Sequence, residues 1–237
     1  DRVKLQGKRV LLRADLNVPM KEGKVTDATR IQRFIPTLQY LHKAGAIVIV
    51  TSHLGRPKGK FNVAMSLKQV ADSLAQLSNL RVEFIGESVS QETVTKTKEM
   101  KVGDVALLEN LRFYLEEEAN DSEFAEQLAA HAEIYVNDAF SAAHRAHAST
   151  HAISKFLPAY AGPSMVAELE ALQAVLGDPK RPVAALVGGA KVSSKIDVLQ
   201  HLVPRMEKLI IGGGMANTFL LAQGMNIGKS LAEADLV

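Results

Sequence analysis

Four short apolar runs in this 237-residue chain lead directly into arginine or histidine. Residues 9–13 pass into Arg13-Ala14-Asp15-Leu16-Asn17-Val18-Pro19, and residues 46–50 into Thr51-Ser52-His53-Leu54-Gly55-Arg56-Pro57. Residues 105–108 pass into Glu109-Asn110-Leu111-Arg112-Phe113. Residues 133–136 pass into Asn137-Asp138-Ala139-Phe140 and then His144-Arg145-Ala146-His147. Arg30 opens the periodic segment that follows the first of these. A guanidinium holds phosphate or carboxylate through two parallel hydrogen bonds. Any one arginine is as readily a surface charge or half of a structural ion pair. Their common position at run ends is what that reading leaves unexplained, and it points to one crevice for a small, multiply charged anion.

Two later runs end differently. Residues 183–187 give way to Gly188-Gly189-Ala190-Lys191-Val192-Ser193-Ser194-Lys195, and residues 208–211 to Gly212-Gly213-Gly214-Met215. Glycine lets backbone N–H groups approach an anion, and the start of a helix favours negative charge. Lys191 and Lys195 add point charges. The pattern suits a polyphosphate or nucleotide, although glycine pairs also serve simply as tight turns. Other motifs are set aside. Gly224-Met225-Asn226-Ile227-Gly228-Lys229-Ser230 has three residues between its glycines where a phosphate-binding loop has four, and it follows a helical stretch. His144, His147 and His151 lack the carboxylate or cysteine partners of a metal site, so no metal ligand is assigned. Glu116, Glu117 and Glu118 read as a solvated loop.

Positioning these groups requires a scaffold. Strands are expected at residues 9–13, 46–50, 81–85, 105–108, 133–136, 183–187 and 208–211, as continuous apolar runs covered on both faces. Between them lie helical stripes. One holds Ile31, Phe34, Ile35, Leu38 and Leu41, stopped by Gly45. A second starts at Ser66 with Gln69 completing a capping box, and turns Leu67, Val70, Ala71, Leu74 and Leu77 inward. Phe124, Ala125, Leu128 and Ala132 make a third; Leu169, Leu172 and Leu176 a fourth, ended by Gly177. Ile196, Leu199, Leu202 and Val203 make a fifth, capped by Ser193 and Ser194. This alternation predicts an α/β chain with a Rossmann-like, doubly wound parallel sheet. Prolines and glycines suggest a first domain over residues 1–162, a connecting helix and linker over 163–180, and a second unit over 181–237. Two strands do not make a stable sheet, so the second unit is expected to be truncated, with an exposed apolar edge.

Composition narrows the function classes. Apolar residues make up 47% and charged residues 23%, the balance of a globular chain with a sizeable core. Cysteine is absent, which excludes disulfide scaffolds, iron–sulfur clusters and thiol catalysis and fits a reducing, cytoplasmic setting. A net charge of +2 and only 5% aromatic residues, not interleaved with arginine, argue against nucleic acid. The apolar runs are far too short to span a membrane, and the N-terminus does not read as a signal peptide.

Seven segments, at residues 13–19, 52–57, 109–113, 137–140, 143–147, 188–195 and 212–219, together resemble the phosphoglycerate kinase family of bacterial type, in family order. The resemblance implies two Rossmann-like lobes joined by a helix and hinge, in a monomer. The first lobe would bind 3-phosphoglycerate or 1,3-bisphosphoglycerate through Asp15, Leu16, Asn17, Arg30, His53, Leu54, Gly55, Arg56, Arg112 and Arg145. The second would take ADP or ATP with Mg2+ through Gly189, Ala190, Lys191, Lys195, Gly212, Gly213 and Gly214. Arg30, Lys191 and Lys195 would be the catalytic cations of a reversible glycolytic phosphoryl transfer to ADP. The reverse nucleophile is a carboxylate, ionised at neutral pH, so no general base is needed. The family's later glycine-rich loop, its magnesium-binding Asp and its ribose-holding acid have no counterpart here. The expectation is therefore a chain that binds 3-phosphoglycerate without turnover. The alternative is a non-catalytic binding module for small phosphorylated acids.

Overall fold

A strand covered on both faces must be apolar at every position, and Val10, Leu11 and Leu12 of strand β1 (Arg9–Arg13) are all buried. The computed structural model describes residues 3–177 and 179–237; Asp178, in the expected linker, lies outside the described residues. In chain order β1 is followed by β2 (Met20–Lys21), β3 (Lys24–Val25), α1 (Thr29–Lys43), β4 (Ile47–Thr51), α2 (Lys68–Ser78), β5 (Val82–Ile85), α3 (Gln91–Glu99), β6 (Val105–Leu108), α4 (Leu115–Glu118), α5 (Ser122–Ala129), β7 (Ile134–Asn137), α6 (Phe140–Ala143), β8 (Ala159–Ala161), α7 (Pro163–Leu176), β9 (Ala184–Gly188), α8 (Ile196–Leu202), β10 (Lys208–Gly212) and α9 (Gly214–Ala222). Two compact units divide the chain, Asp1–Glu168 and Leu169–Val237.

The first unit is built on six strands in the order β5-β6-β4-β1-β7-β8, every neighbouring pair parallel. Alternate side chains face opposite ways along a strand. Val10, Leu12, Val48 and Val50 therefore pack with Ile31, Phe34 and Leu38 of α1 and Val70 and Leu74 of α2. Leu11, Ile49, Ala106 and Leu108 pack on the other face with Phe124 and Leu128 of α5. Helices on both faces make the sheet doubly wound, as expected. From β1 the chain passes to β4 on one side, and it later returns to β7 on the other. Such a reversal opens a crevice at the carboxyl ends of the strands.

Several local expectations are corrected. Gln69 does not close a capping box: its amide bonds to the Val63 carbonyl, while Ser66 donates to the buried carboxylate of Glu109. Glu109 also accepts from the Leu67 backbone, so an acid from the end of β6 anchors the start of α2. Leu77 is exposed. Helix α3 was not foreseen, because its stretch is polar and buries only Thr93, Val94 and Thr97. The short hairpin of β2 and β3 and the edge strand β8 were also not foreseen. Gly45 does stop α1, at φ +75°, a left-handed conformation that suits glycine.

Asp138, just past β7, collects four donors. Thr37 of α1 gives its hydroxyl at 2.6 Å, Ser164 its hydroxyl at 2.9 Å and its N–H at 2.8 Å, and Met165 its N–H at 3.2 Å. The carboxylate thus satisfies orphan N–H groups at the start of α7 and ties that turn to the sheet. Further along α7, Leu169, Leu172 and Leu176 are exposed, contrary to an inward-facing stripe.

In the second unit β9 and β10 form a parallel pair. Val187, Leu209 and Ile211 pack over a small core of Val192, Leu199 and Met215. The opposite face is bare: Leu186 is 75% exposed and Ile210 53%. Strands expected to be covered on both faces are here covered on one, and the exposed apolar residues lie on a face of the pair where the expectation was an edge. Ser193 and Ser194 do not cap α8; their hydroxyls go to Glu233 and to the Lys191 carbonyl.

Candidate functional site

The strand ends of the first unit surround a cleft of about 250 Å³. Asn17 enters from beyond β1, His53, Gly55 and Arg56 from beyond β4, and Arg112 from beyond β6. Arg30, in the first turn of α1, and Ser141 and Arg145, from the segment after β7, complete the wall. Arginines from four stretches of sequence, Arg30, Arg56, Arg112 and Arg145, thus share one opening.

Local chemistry holds each group in place. Gly55 has φ +64°, and a Cβ there would lie 2.9 Å from Met65 Sδ, so the turn that presents Arg56 requires glycine. Asn17 Oδ1 accepts the Gly55 N–H at 2.8 Å, pinning the β4 turn to the β1 turn. Arg112 is buried and gives one N–H to the Gly55 carbonyl at 2.9 Å, with Glu118 at 3.4 Å from its Nε. Burial lowers its pKa from a very high starting value, and a guanidinium stays charged regardless. Arg30 forms an ion pair with Asp15, at 2.8 and 2.7 Å to its two oxygens, and Ser141 donates to the same carboxylate at 2.6 Å. Among the described residues Arg56 and Arg145 make no side-chain hydrogen bond to the protein, which leaves their forks for a guest.

His53 is buried, and its pKa is pushed down to about 2. Loss of hydration is the main cause, reinforced by the charges of Arg13, Arg112, Arg145 and His147. Arg13 donates to its Nδ1 at 3.0 Å. The ring is therefore neutral, and it offers the cleft a hydrogen-bond donor without a charge.

Most expected residues of this group meet in the cleft. Leu16 and Leu54 do not: both side chains lie in the hydrophobic core, where strand-end loops need apolar anchors. Asp15 lines an adjoining depression with Arg30 and Arg33. The acidic run is also corrected. Glu117 is fully buried and bonded to Ser149, and Glu118 pairs with Arg112. Arg13 was expected at a run end but given no role, and Ser141 and Glu117 were missed as site residues. Ionic periodicity gave no signal for them, because their partners are remote in sequence. Among the described residues no group of three or more His, Asp or Glu side chains gathers to hold a metal.

The second unit carries the other set. Gly213 has φ +68°, and a Cβ there would lie 2.9 Å from the Gly189 carbonyl oxygen; one on Gly214 would lie 2.9 Å from that of Ala190. Glycine is what lets the start of α9 sit on the loop after β9. Met215 N–H donates to the Gly189 carbonyl at 2.9 Å. Gly212 has open space where a Cβ would project. The Lys195 stem lies beside Gly189, Lys191 is exposed, and neither ammonium has a hydrogen-bond partner among the described residues. These glycines and lysines suit phosphate oxygens; they offer no carboxylate for a divalent cation.

A family model described as phosphoglycerate kinase matches residues 1–237. Phosphoglycerate kinases of Sinorhizobium fredii and Chelativorans sp. are 56% and 57% identical over 236 and 230 residues, which are 100% and 97% of this chain. The chain spans only 59% and 58% of the length of those relatives. The structure of phosphoglycerate kinase from Coxiella burnetii superposes with a TM-score of 0.88 at 44% identity, over 98% of this chain and 59% of that one. That from Pyrococcus horikoshii gives 0.84 at 34%, over 95% and 57%.

Proposed function

This chain belongs to the phosphoglycerate kinase family, and on that premise we propose that it serves reversible phosphoryl transfer from 1,3-bisphosphoglycerate to ADP, yielding 3-phosphoglycerate and ATP. The observation that carries the reading is the cleft with Arg56 and Arg145 unengaged beside a neutral His53. A carboxylate and a phosphate on a three-carbon acid match several guanidinium forks at close range. Asn17, Arg30, His53, Gly55, Arg56, Arg112 and Arg145 bind the acid. Asp15 orients Arg30. Gly189, Ala190, Gly212, Gly213 and Gly214 take the nucleotide phosphates with Lys191 and Lys195.

The chemistry asks for little beyond charge and position. The acceptor is a phosphate oxygen of ADP in the forward direction and the carboxylate of 3-phosphoglycerate in reverse, both ionised at neutral pH, so no nucleophile–base pair is needed. Phosphoryl transfer is then accelerated by holding the partners in line and stabilising charge on the moving group. Arg30 serves from the acid side, Lys191 and Lys195 from the nucleotide side. Magnesium comes on the phosphates of ADP or ATP. The reading carries with it the family's glycolytic role, a cytoplasmic setting and a monomer. No described helix is long and apolar enough to cross a membrane.

We further propose that a polypeptide of these 237 residues binds 3-phosphoglycerate but does not turn over. Calorimetry with 3-phosphoglycerate and with magnesium–ADP, followed by a coupled assay on material verified by intact mass, tests this. Saturable binding of the acid without turnover is expected. Turnover by this chain alone would overturn the second proposal, and absence of any affinity for the acid would overturn the first. Affinity for the acid but none for the nucleotide would favour a binding module for small phosphorylated acids.

A further inference from the structure

The geometry points to a buried relay, Glu117–Ser149–Arg13, that fixes the tautomer of His53 so that its Nε2–H faces the cleft. The inference rests on the cleft's reading as the acid-binding site and names how one of its donors is set. Glu117, in α4, accepts the Ser149 hydroxyl at 2.7 Å and the Ser149 N–H at 2.9 Å. Ser149 has one hydroxyl proton, and Glu117 takes it. Its oxygen is then left as an acceptor for Arg13 Nε, at 2.9 Å. Arg13 directs another N–H to His53 Nδ1 at 3.0 Å. A guanidinium only donates, so Nδ1 must accept, and the single proton of a neutral imidazole must sit on Nε2. Nε2 has no hydrogen-bond partner among the described residues, and His53 lines the cleft.

The two ends fix the directions: an ionised Glu117 only accepts and Arg13 only donates, so Ser149 donates to the one and accepts from the other, and His53 Nδ1 accepts. Glu117, Ser149, Arg13 and His53 are all buried, at 0, 0, 1 and 5% exposure. Within such surroundings a misdirected proton leaves a polar group unpaired, which is strongly unfavourable. Tyr135 braces the link by donating its hydroxyl to the Ser149 carbonyl at 2.6 Å. Glu117 and Ser149 are thus positioning residues, acting on the guest only through Arg13 and His53.

The test is nitrogen-15 spectroscopy of histidine-labelled protein without ligand, paired with calorimetry using 3-phosphoglycerate. In the unaltered chain His53 should show a bare Nδ1 and a protonated Nε2. Ser149→Ala should free the Arg13 fork, let His53 sample both tautomers, and weaken acid binding about fivefold, the worth of one hydrogen bond. Ser149→Thr keeps the hydroxyl and should restore both readouts. A merely structural Ser149 would lower stability without touching the tautomer. An unaltered His53 protonated on Nδ1, or a folded Ser149→Ala protein with the tautomer still single, would overturn the relay. Should Ser149→Ala fail to fold, Glu117→Gln reads the same link, and the unaltered spectrum remains decisive. A single Nε2–H tautomer in a chain with no affinity for the acid would uphold the relay and sink the reading of the cleft.

Discussion

The two units present cations at their strand ends by different means. In the six-stranded unit the work falls to side chains, three of them held from behind. Arg112 is buried against the Gly55 carbonyl, Arg30 is paired to Asp15, and His53 is backed by Arg13. In the two-stranded unit it falls to the backbone. Gly213 and Gly214 bring the first turn of α9 onto Gly189 and Ala190, and the Lys191 and Lys195 ammonium groups have no hydrogen-bond partner among the described residues. A deep core can hold buried charges and their compensating acids in fixed geometry. A thin one offers turn geometry and ammonium groups that no buried acid holds.

The largest expected test of this contrast is on stability. Leu12→Ala, at a fully buried site in β1, should lower unfolding free energy by about 3 kcal/mol in urea denaturation. Leu186→Ala, on the bare face of β9, should stay within about 0.5 kcal/mol. Equal effects would erase the distinction between the two cores. Next comes binding: Arg145→Ala should weaken 3-phosphoglycerate affinity roughly 10- to 100-fold by calorimetry, the range for a charged hydrogen bond. Lys191→Ala should leave that affinity alone and reduce the affinity for magnesium–ADP. Loss of acid binding in both variants would merge the two sites into one.

Between pH 7 and 5.5 acid sensitivity should be smaller and should centre on the buried histidines of the first unit. His53 binds its proton in the unfolded chain near pH 6.5 but only near pH 2 when folded. Its contribution to stability is therefore complete above pH 6.5 and is lost as pH falls below that value. By pH 5.5 the loss from His53 amounts to about 1 kcal/mol. Burial lowers the pKa of His131 as well, and it adds in the same direction. Replacing His53 by Gln should flatten the fall in melting temperature between pH 7 and 5.5; an unchanged slope would mean that His53 titrates normally. The smallest signal is association. The exposed Leu186 and Ile210 should make elution from a sizing column concentration-dependent, and Leu186→Lys should abolish that dependence. A monomer at every concentration would show that the bare face is harmless.

The scaffold was legible because strands and amphipathic helices announce themselves within a few residues. Residues 9–13 and 105–108 are strands as expected, and the arginines at run ends converge. What escaped was set by partners far away in sequence. Glu117 reads as one of three solvated acids until Ser149, 32 residues later, meets it in the interior. Ser66 and Gln69 have the spacing of a capping box, yet Glu109, 43 residues after Ser66, takes the serine's proton. Leu16 and Leu54 sit inside binding motifs but anchor the loops from below. Helix α3 buries threonines in place of leucines, so no apolar stripe betrays it.

The Asp138 carboxylate precedes Ser164 by 26 residues. Starting a helix is its unfavourable step, because the first turn fixes several residues for a single bond. Here the acceptor for those opening amides is synthesised well before the helix itself. With β7 in place in the sheet, that carboxylate is a fixed acceptor for the N–H groups of residues 164 and 165, so the first turn of α7 rests on a template and does not stand alone.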